Sequence, residues 1–288
     1  MITFTNKAAN EMKERIERYF KSQVCLGFIW TFHSFCANIL RRNGANIEIE
    51  RNFNIYDEND QLGLIKHILK KLESKKYSAS YVLYKISSAK NLLIEPKKYQ
   101  EVFSDYEAEF ISQIYQQYQQ QLKKNKAVDF DDLLMMTVNL FIKAPAVLEK
   151  YQKQYRFFFI DEYQDTNYAQ YVLTRMLGYK YRQLTVVGDF SQSIYSWRGA
   201  DIRNLEKLQE DFPETKVFHL EENYRSPQTI LDFAYNIISK NRTHPILKLY
   251  TKNNQGEEIT YYQAGNEQDE AIYLASEIQK LSQDNSLS

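Results

Sequence analysis

Glycine is scarce in this sequence, with eight in 288 residues. A typical chain of this length would contain about twenty, because glycine makes up roughly 7% of residues. The two that lie closest together, Gly256 and Gly265, are nine positions apart. A dinucleotide-binding turn needs glycines two and three positions apart, and a phosphate-binding P-loop needs two glycines five apart followed by Lys and Ser or Thr. Both motifs are therefore excluded within these 288 residues.

Cysteine and long apolar segments are also rare. The two cysteines, Cys25 and Cys36, can build neither a disulfide framework nor a four-ligand zinc site, which favours a reducing, intracellular environment. No apolar run approaches the roughly 18 residues of a membrane span, and the first residues do not resemble a signal peptide. We expect a soluble, cytoplasmic protein of about two domains without a membrane partner.

Charge is balanced overall, with 37 basic and 37 acidic residues, but it is unevenly distributed. Residues 1–126 hold 20 basic and 14 acidic side chains, whereas residues 127–288 hold 17 and 23. A basic excess of this kind is compatible with a nucleic-acid-binding face. It is more often a feature of lysine-rich helix surfaces that simply face solvent.

Three short apolar runs each end in polar residues, at positions 157–160, 184–187 and 217–220. Continuous apolar runs of this length predict strands buried on both faces, as in parallel sheets covered by helices. In such sheets ligands bind beyond the carboxyl ends of the strands. The polar residues that follow the three runs are therefore the predicted site.

Helical patterns fill the intervening segments. Apolar residues recur every three or four positions in 107–126, and Asp129 offers an N-cap to a second helix that runs toward Pro145. Residues 45–126 as a whole predict an all-helical unit inserted between two α/β pieces. The last segment predicts a strand at 258–262 and a helix at 267–281, a pair too small to bury a core, so we expect the C-terminal unit to be incomplete.

Asp161 and Glu162 directly follow the first apolar run. Adjacent carboxylates at a strand end can divide two tasks, since one can hold hydrated Mg²⁺ while the other orients and deprotonates an attacking water. Neighbouring side chains of a strand point in opposite directions, which lets the two acids face different partners. A solvated strand end without function is the alternative interpretation.

The segment 187–200 places a strand, a turn and a group of polar and aromatic residues close together. Gln192 stands where an amide could sense a phosphate at the strand ends. Tyr195, Trp197 and Arg198 could stack on or clamp unpaired bases, and such stacking contributes about 1–3 kcal/mol per base. A core position for Trp197 is the alternative, although the adjacent arginine and the polar loop favour a position that faces a ligand.

Six segments taken in order resemble the motifs of superfamily 1 DNA helicases of the UvrD/PcrA/Rep type: TFTNKAANEM (3–12), TFHSFC (31–36), DFDDLL (129–134), FFFIDEYQDTNYAQY (157–171), VVGDFSQSIYSWRGAD (186–201) and LEENYRS (220–226). The resemblance covers essentially the whole chain. It implies an α/β fold, with a RecA-like parallel-sheet domain, an inserted all-helical subdomain and the start of a second RecA-like domain. The implied boundaries are 1–45 with 127–215, then 46–126, then 216–288.

The resemblance also implies roles for individual residues, with ATP and Mg²⁺ as cofactors. Asp161 would serve Mg²⁺ and Glu162 would activate the hydrolytic water. Gln192 would contact the γ-phosphate and link it to the DNA site, while Tyr224 would lie near the adenine and Arg225 would act as an arginine finger. The residues implied to contact DNA are Phe4, Thr31, His33, Tyr195, Trp197 and Arg198. For Phe4 and His33, packing in the core is an equal alternative.

The function implied by this resemblance is an ATP-dependent 3′-5′ helicase or translocase on single-stranded DNA and single-strand/double-strand junctions, in DNA repair or replication. Phe190 and Ser191 depart from the residues usual in the family's GDxxQ motif. The family's phosphate loop lies upstream of the first motif, so we expect residues 1–288 alone to lack ATPase activity. The alternatives are a non-catalytic DNA-binding fragment and the helicase module of a recombinational-repair helicase-nuclease.

Overall fold

A computed structural model describes residues 1–20, 27–74, 76–242 and 244–283, apart from the side chain of Arg198. Cys25, one of the two cysteines considered above, lies outside the described residues. The chain divides into two compact units, Met1–Lys216 and Val217–Ser288.

The strands of the first unit form two parallel sheets. They are β1 (Ile2–Thr3), β2 (Trp30–Thr31), β3 (Asn54–Tyr56), β4 (Ala127–Asp129), β5 (Phe158–Ile160) and β6 (Leu184–Val186). The larger sheet has the order β2-β1-β5-β6, and β3 pairs with β4 in the smaller one. Because consecutive strands of a parallel sheet need crossover connections, the helices between them follow from this topology. The predicted α/β class with a parallel sheet is confirmed.

The α-helices of the described residues are α1 (Asn6–Phe20), α2 (Phe32–Asn43), α3 (Glu58–Lys71), α4 (Ala79–Asn91), α5 (Tyr99–Val102), α6 (Ala108–Lys124), α7 (Phe130–Lys143), α8 (Pro145–Gln154), α9 (Tyr168–Gly178), α10 (Arg203–Asp211), α11 (Gln228–Ile238) and α12 (Glu267–Gln283). Among the described residues, no helix combines the length and the apolar character needed to cross a bilayer.

One core cluster joins the larger sheet to α2, α7 and α9. In β5, Phe158 and Ile160 are buried in it, whereas Phe159 is 43% exposed on the opposite face. The prediction that these runs are buried on both faces is therefore wrong for β5. A strand with one buried face usually alternates apolar and polar residues. This run lacks that alternation, because phenylalanine occupies both the inward and the outward positions.

A second core cluster lies in the predicted helical region, between α3, α4 and α6. Its fully buried side chains include Ile111, Tyr115 and Tyr118, which share one face of α6 as the three- and four-residue spacing predicted. The short strand β3 also lies in this region and pairs in register with β4, so the prediction that residues 45–126 are all-helical is wrong at residues 54–56. Three residues are too few for a periodic strand signal, and their partner lies more than 70 residues away in the chain. The helical region is thus joined to the segment that leads into α7 by backbone pairing as well as by side chains.

The start of α7 agrees with the predicted N-cap. Asp129 accepts a hydrogen bond from the backbone N–H of Asp132 at 2.8 Å, and the Asp132 carboxylate accepts one from the N–H of Asp129 at 3.3 Å. This reciprocal capping box satisfies two N–H groups that a helix start otherwise leaves unpaired.

In the second unit the predicted helix is confirmed as α12, but two predicted strands are not formed. Residues 217–220 and 258–262 have no assigned strand, and Phe218 and Leu220 are 80% and 78% exposed. A strand requires a hydrogen-bonded neighbour, and the pairing described in this unit is a single bridge between Glu222 and Tyr250. Apolar sequence alone does not supply that neighbour.

Candidate nucleotide and nucleic-acid site

The larger sheet brings four of its strand ends to one edge. Phe4 follows β1, His33 lies just beyond β2, Asp161 follows β5 and Asp189 lies just beyond β6. All these strands are parallel, so their carboxyl ends face the same way, and this is the edge at which parallel α/β sheets bind ligands. Two of the three predicted strand ends, those after β5 and β6, lie at this edge, whereas the third run at 217–220 forms no strand and belongs to the second unit.

Asp161 and Glu162 form the acidic centre of this edge. The Asp161 N–H donates to the carbonyl of Ile2 at 3.0 Å, which fixes the end of β5 against β1. Burial and the neighbouring charge of Glu162 raise the pKa of the Asp161 carboxyl. Glu162 has a left-handed backbone with φ of 52°, which few non-glycine residues adopt and which is concentrated at functional sites.

The chemistry of this pair fits a hydrated Mg²⁺. Within the described residues, no ion pair involves either carboxylate. Burial is the main cause of the raised Asp161 pKa, and the negative charge of Glu162 adds to it. The described residues contain no group of three or more His, Cys, Asp or Glu arranged to hold a metal. Mg²⁺ keeps several waters and is commonly held by one or two carboxylates together with substrate phosphates, so one carboxylate such as Asp161 is sufficient.

Gln192 lies in the turn that follows β6. Its side chain is exposed, and its Nε2 donates to Asp189 Oδ2 at 2.9 Å. The other carboxylate oxygen of Asp189 accepts from the Ser191 N–H at 2.9 Å, so both oxygens of Asp189 form hydrogen bonds within the turn. Gln192 therefore presents its amide at the edge of the sheet from a turn whose shape is determined by Asp189.

Aromatic side chains form a row beside this turn. The ring of Phe4 stacks on Tyr195 with centroids 5.6 Å apart and planes at 22°, and Tyr195 contacts Trp197 at 6.4 Å. Trp197 is 64% exposed, which argues against a core position. Phe4 and Tyr195 are partly buried, so Trp197 is the exposed member of this row. An exposed aromatic ring is suited to stacking with unpaired bases. The Arg198 side chain lies outside the described atoms, so its role stays a prediction.

Thr31 and His33 lie at the start of α2. Thr31 is buried and caps this helix, because its Oγ1 accepts from the Ser34 N–H at 3.2 Å. The His33 ring meets Phe130 edge to face with centroids 5.9 Å apart, and burial lowers its pKa to about 4. His33 is therefore neutral at physiological pH and can offer a ligand a hydrogen bond but not a positive charge.

Tyr224 and Arg225 belong to the second compact unit. Tyr224 is 80% exposed, and Arg225 is exposed as well. Asn223 shapes the turn that carries them, since its Oδ1 accepts from the N–H groups of Arg225 and Ser226 at 2.9 and 2.8 Å. Both side chains are accessible to a ligand within their own unit.

Two buried polar residues, one of them next to the site, were not predicted. Gln164 is 1% exposed and contacts both Glu162 and Asp189, and Lys90 is fully buried against Asp129. Gln164 is part of the DEYQD segment, so its place directly after the two acids was an available signal. Lys90 had no such signal, because its sequence neighbourhood looks like an ordinary lysine-bearing helix face.

Comparison with known families matches both units of the chain. Residues 1–213 match the UvrD/REP helicase N-terminal domain and residues 218–288 match the UvrD-like helicase C-terminal domain. The chain belongs to the UvrD/REP helicase family. Its parallel sheet, with an acidic pair at the carboxyl edge, is consistent with the RecA-like domains of such helicases.

Similar proteins include the ATP-dependent DNA helicase PcrA of Staphylococcus aureus, which is 47% identical over 281 residues. PcrA of Staphylococcus epidermidis is 46% identical over the same length. In both comparisons the alignment covers 97% of this chain and 38% of the relative. The chain therefore spans well under half the length of the curated relatives that it matches.

Proposed function

We propose that this chain is part of an ATP-dependent DNA helicase that translocates 3′ to 5′ along single-stranded DNA and separates duplex at junctions, in DNA repair or replication. The observation that carries the proposal is the single sheet edge at which Asp161, Glu162 and the Gln192 turn stand beside the aromatic row of Phe4, Tyr195 and Trp197. Family membership supports the ATP and DNA chemistry, and the direction of movement rests on the motif resemblance.

Each residue has a distinct task in this proposal. Mg²⁺, when bound, neutralises charge on the phosphate oxygens, and Asp161 is the carboxylate that holds it. Glu162 orients the attacking water and accepts its proton. Gln192 senses the terminal phosphate from the turn that leads directly into Tyr195 and Trp197. Because the sensor and the stacking rings share one loop, a change at the phosphate can be transmitted to the DNA contacts.

The remaining roles follow the resemblance and the site geometry. Tyr224 would contact the adenine, and Arg225 would stabilise charge on the transferring phosphoryl group. Thr31 would support the DNA path as the cap of α2, with His33 and Arg198 contacting the strand. We also propose the domain boundaries given above: 1–45 with 127–215 as the ATP-binding domain, 46–126 as the helical insertion, and 216–288 in the second RecA-like domain.

The polypeptide of residues 1–288 by itself is proposed to lack ATPase activity. Its glycine spacing excludes a P-loop within these residues, and the backbone N–H cradle of that loop supplies much of the affinity for phosphate. Purified chain 1–288 should therefore show no Mg²⁺-dependent ATP turnover above a no-protein blank. Measurable turnover that Glu162→Gln abolishes would contradict this part of the proposal.

The central test measures DNA-stimulated ATP hydrolysis by the full-length gene product. Glu162→Gln should lower kcat by about 10²–10⁴-fold, the usual contribution of a positioned general base. The matched control is Glu101→Gln, which neutralises an exposed carboxylate on α5. Equal turnover in wild type and Glu162→Gln would refute the role of Glu162, and lack of DNA stimulation in the wild type would refute the proposed function itself.

A further inference from the structure

Gln164 lies in a short 3-10 turn, Tyr163–Asp165, that begins immediately after Glu162. Its side chain is 1% exposed although it ends in a polar amide. A buried amide is stable only when its donor and acceptor groups are both used. The partners of this amide therefore indicate why a glutamine stands here.

The two ends of the Gln164 amide contact two different parts of the site. Nε2 donates to Glu162 Oε2 at 2.9 Å, and Oε1 accepts from the backbone N–H of Asp189 at 3.0 Å. A backbone N–H can only donate, so the oxygen must face Asp189 and the NH₂ group must face the Glu162 carboxylate. The orientation of the amide is thus determined by its surroundings.

The loop after β6 approaches this amide very closely. A Cβ on Gly188 would lie 2.9 Å from Gln164 Oε1 and 3.3 Å from the Gln164 backbone nitrogen. Only glycine allows this approach without displacement of the amide. The next residue, Asp189, accepts from Gln192 Nε2 through its carboxylate at 2.9 Å. Glu162 is thus linked by hydrogen bonds to Gln164 and Gln164 to the Asp189 backbone, and the Asp189 side chain continues the link to Gln192.

We propose that Gln164 is the positioning residue of the hydrolytic site, which holds the Glu162 carboxylate and ties its orientation to the loop that carries Gln192. This inference rests on the proposed function. Glu162 has a left-handed backbone and a partly solvated carboxylate, so its side chain needs a fixed partner to face one direction. Gln164 supplies that partner from a buried position and moves with the loop through Asp189.

Gln164→Glu separates the two contacts. The new carboxylate can still accept from the Asp189 N–H, but it cannot donate to Glu162 and repels it. In the full-length gene product we expect kcat for DNA-stimulated ATP hydrolysis to fall about 10²-fold with the KM for ATP within twofold of wild type, since small displacements of a reacting group have effects of this size. In a Glu162→Gln background the same substitution should change kcat by less than twofold, because Gln164 acts through Glu162.

Three variants test the loop contact without measuring activity. Hydrogen-deuterium exchange in residues 187–193 of the unliganded protein should accelerate in Gln164→Leu, which removes the acceptor, and stay near wild type in Gln164→Glu, which keeps it. Gly188→Ala should accelerate exchange in the same peptide. Gly178→Ala is its control, because a Cβ there meets Leu184 at an ordinary 3.5 Å.

The outcomes separate this inference from the proposed function. The positioning role is overturned if Gln164→Glu keeps the wild-type kcat, or if the substitution lowers kcat in the Glu162→Gln background as much as it does in the wild type. The proposed function is still supported in either case, provided that DNA stimulates the wild type and Glu162→Gln is defective. Gln164→Glu could be inactive because it is less thermally stable. In that case, hydrogen-deuterium exchange in residues 187–193 of Gln164→Leu that is as slow as in wild type still overturns the link to the loop.

Discussion

The ammonium group of Lys90 lies 2.6 Å from Asp129 Oδ2, and both side chains are withdrawn from solvent. Asp132 Oδ1 is 2.8 Å from the same nitrogen, and the Tyr118 hydroxyl donates to Asp129 at 2.8 Å. Burial opposes the charge of Lys90, but Asp129 and Asp132 outweigh it, so that the pKa of Lys90 is raised. This cluster joins α4 to the first turn of α7.

Lys90→Met should lower the free energy of unfolding of chain 1–288 by about 3–5 kcal/mol, because it leaves two carboxylates buried without a counter-charge. Urea unfolding followed by circular dichroism measures the change. The control is Lys123→Met, which breaks an exposed pair with Glu48 and should change stability by about 0–1 kcal/mol. Equal losses in both variants would show that the buried cluster contributes no more than a surface ion pair.

Trp197→Ala should weaken binding of single-stranded DNA by the full-length gene product about 5- to 150-fold, corresponding to about 1–3 kcal/mol for one stacked base. Fluorescence anisotropy with a labelled oligonucleotide measures the dissociation constant at fixed salt. Tyr179→Ala serves as the control, because Tyr179 is 58% exposed and precedes β6 at the opposite edge of the sheet. Unchanged affinity in Trp197→Ala would remove Trp197 from the DNA path.

Arg225→Ala should lower kcat for ATP hydrolysis by the full-length gene product about 10³–10⁵-fold, the range for loss of an arginine finger. Arg225→Lys should restore little of it, because lysine keeps the charge but lacks the planar guanidinium fork. Steady-state ATPase assays with saturating DNA provide the measurement. Arg242→Ala, which removes another exposed arginine of the second unit, is the control. Turnover near wild type in Arg225→Ala would exclude the finger role.

His33 should make the folded chain less stable in acid. Its pKa is lowered to about 4 by burial, from 6.5 in the unfolded chain, so the unfolded state binds more protons between these values. The contribution of neutral His33 to the free energy of unfolding is therefore fully present above about pH 6.5 and is lost as the pH falls toward 4. His33→Gln should remove an acid-induced loss on the order of 3 kcal/mol.

Urea unfolding of chain 1–288 at pH 7, 5.5 and 4.5 measures this difference between wild type and His33→Gln. The matched control is His67→Gln, whose imidazole is exposed on α3. If the free energy of unfolding falls by the same amount between pH 7 and pH 4.5 in His33→Gln and in wild type, His33 is not the acid-sensitive group.

Local sequence patterns were enough to predict several elements of the fold. The apolar period of α6 and the Asp129 cap of α7 each depend on residues close together in the chain, and the structure has both helices. The order of the six motifs along the chain indicated the family, and the site roles that it implies stay predictions. The same patterns failed where a partner outside the segment decides the outcome. Residues 217–220 are apolar but have no strand beside them, and Phe159 faces outward from a uniformly apolar run.

The sequence by itself indicated the family and the position of Asp161 and Glu162 directly after a strand. Tertiary structure alone decided that Lys90 is buried against Asp129, 39 residues away, and that Gln164 bridges Glu162 to Asp189, 25 residues away. The physical reason is that residue type and spacing along the chain indicate where helices, strands and helix caps form. The partner of a buried polar group depends instead on which distant segment packing brings within hydrogen-bond distance.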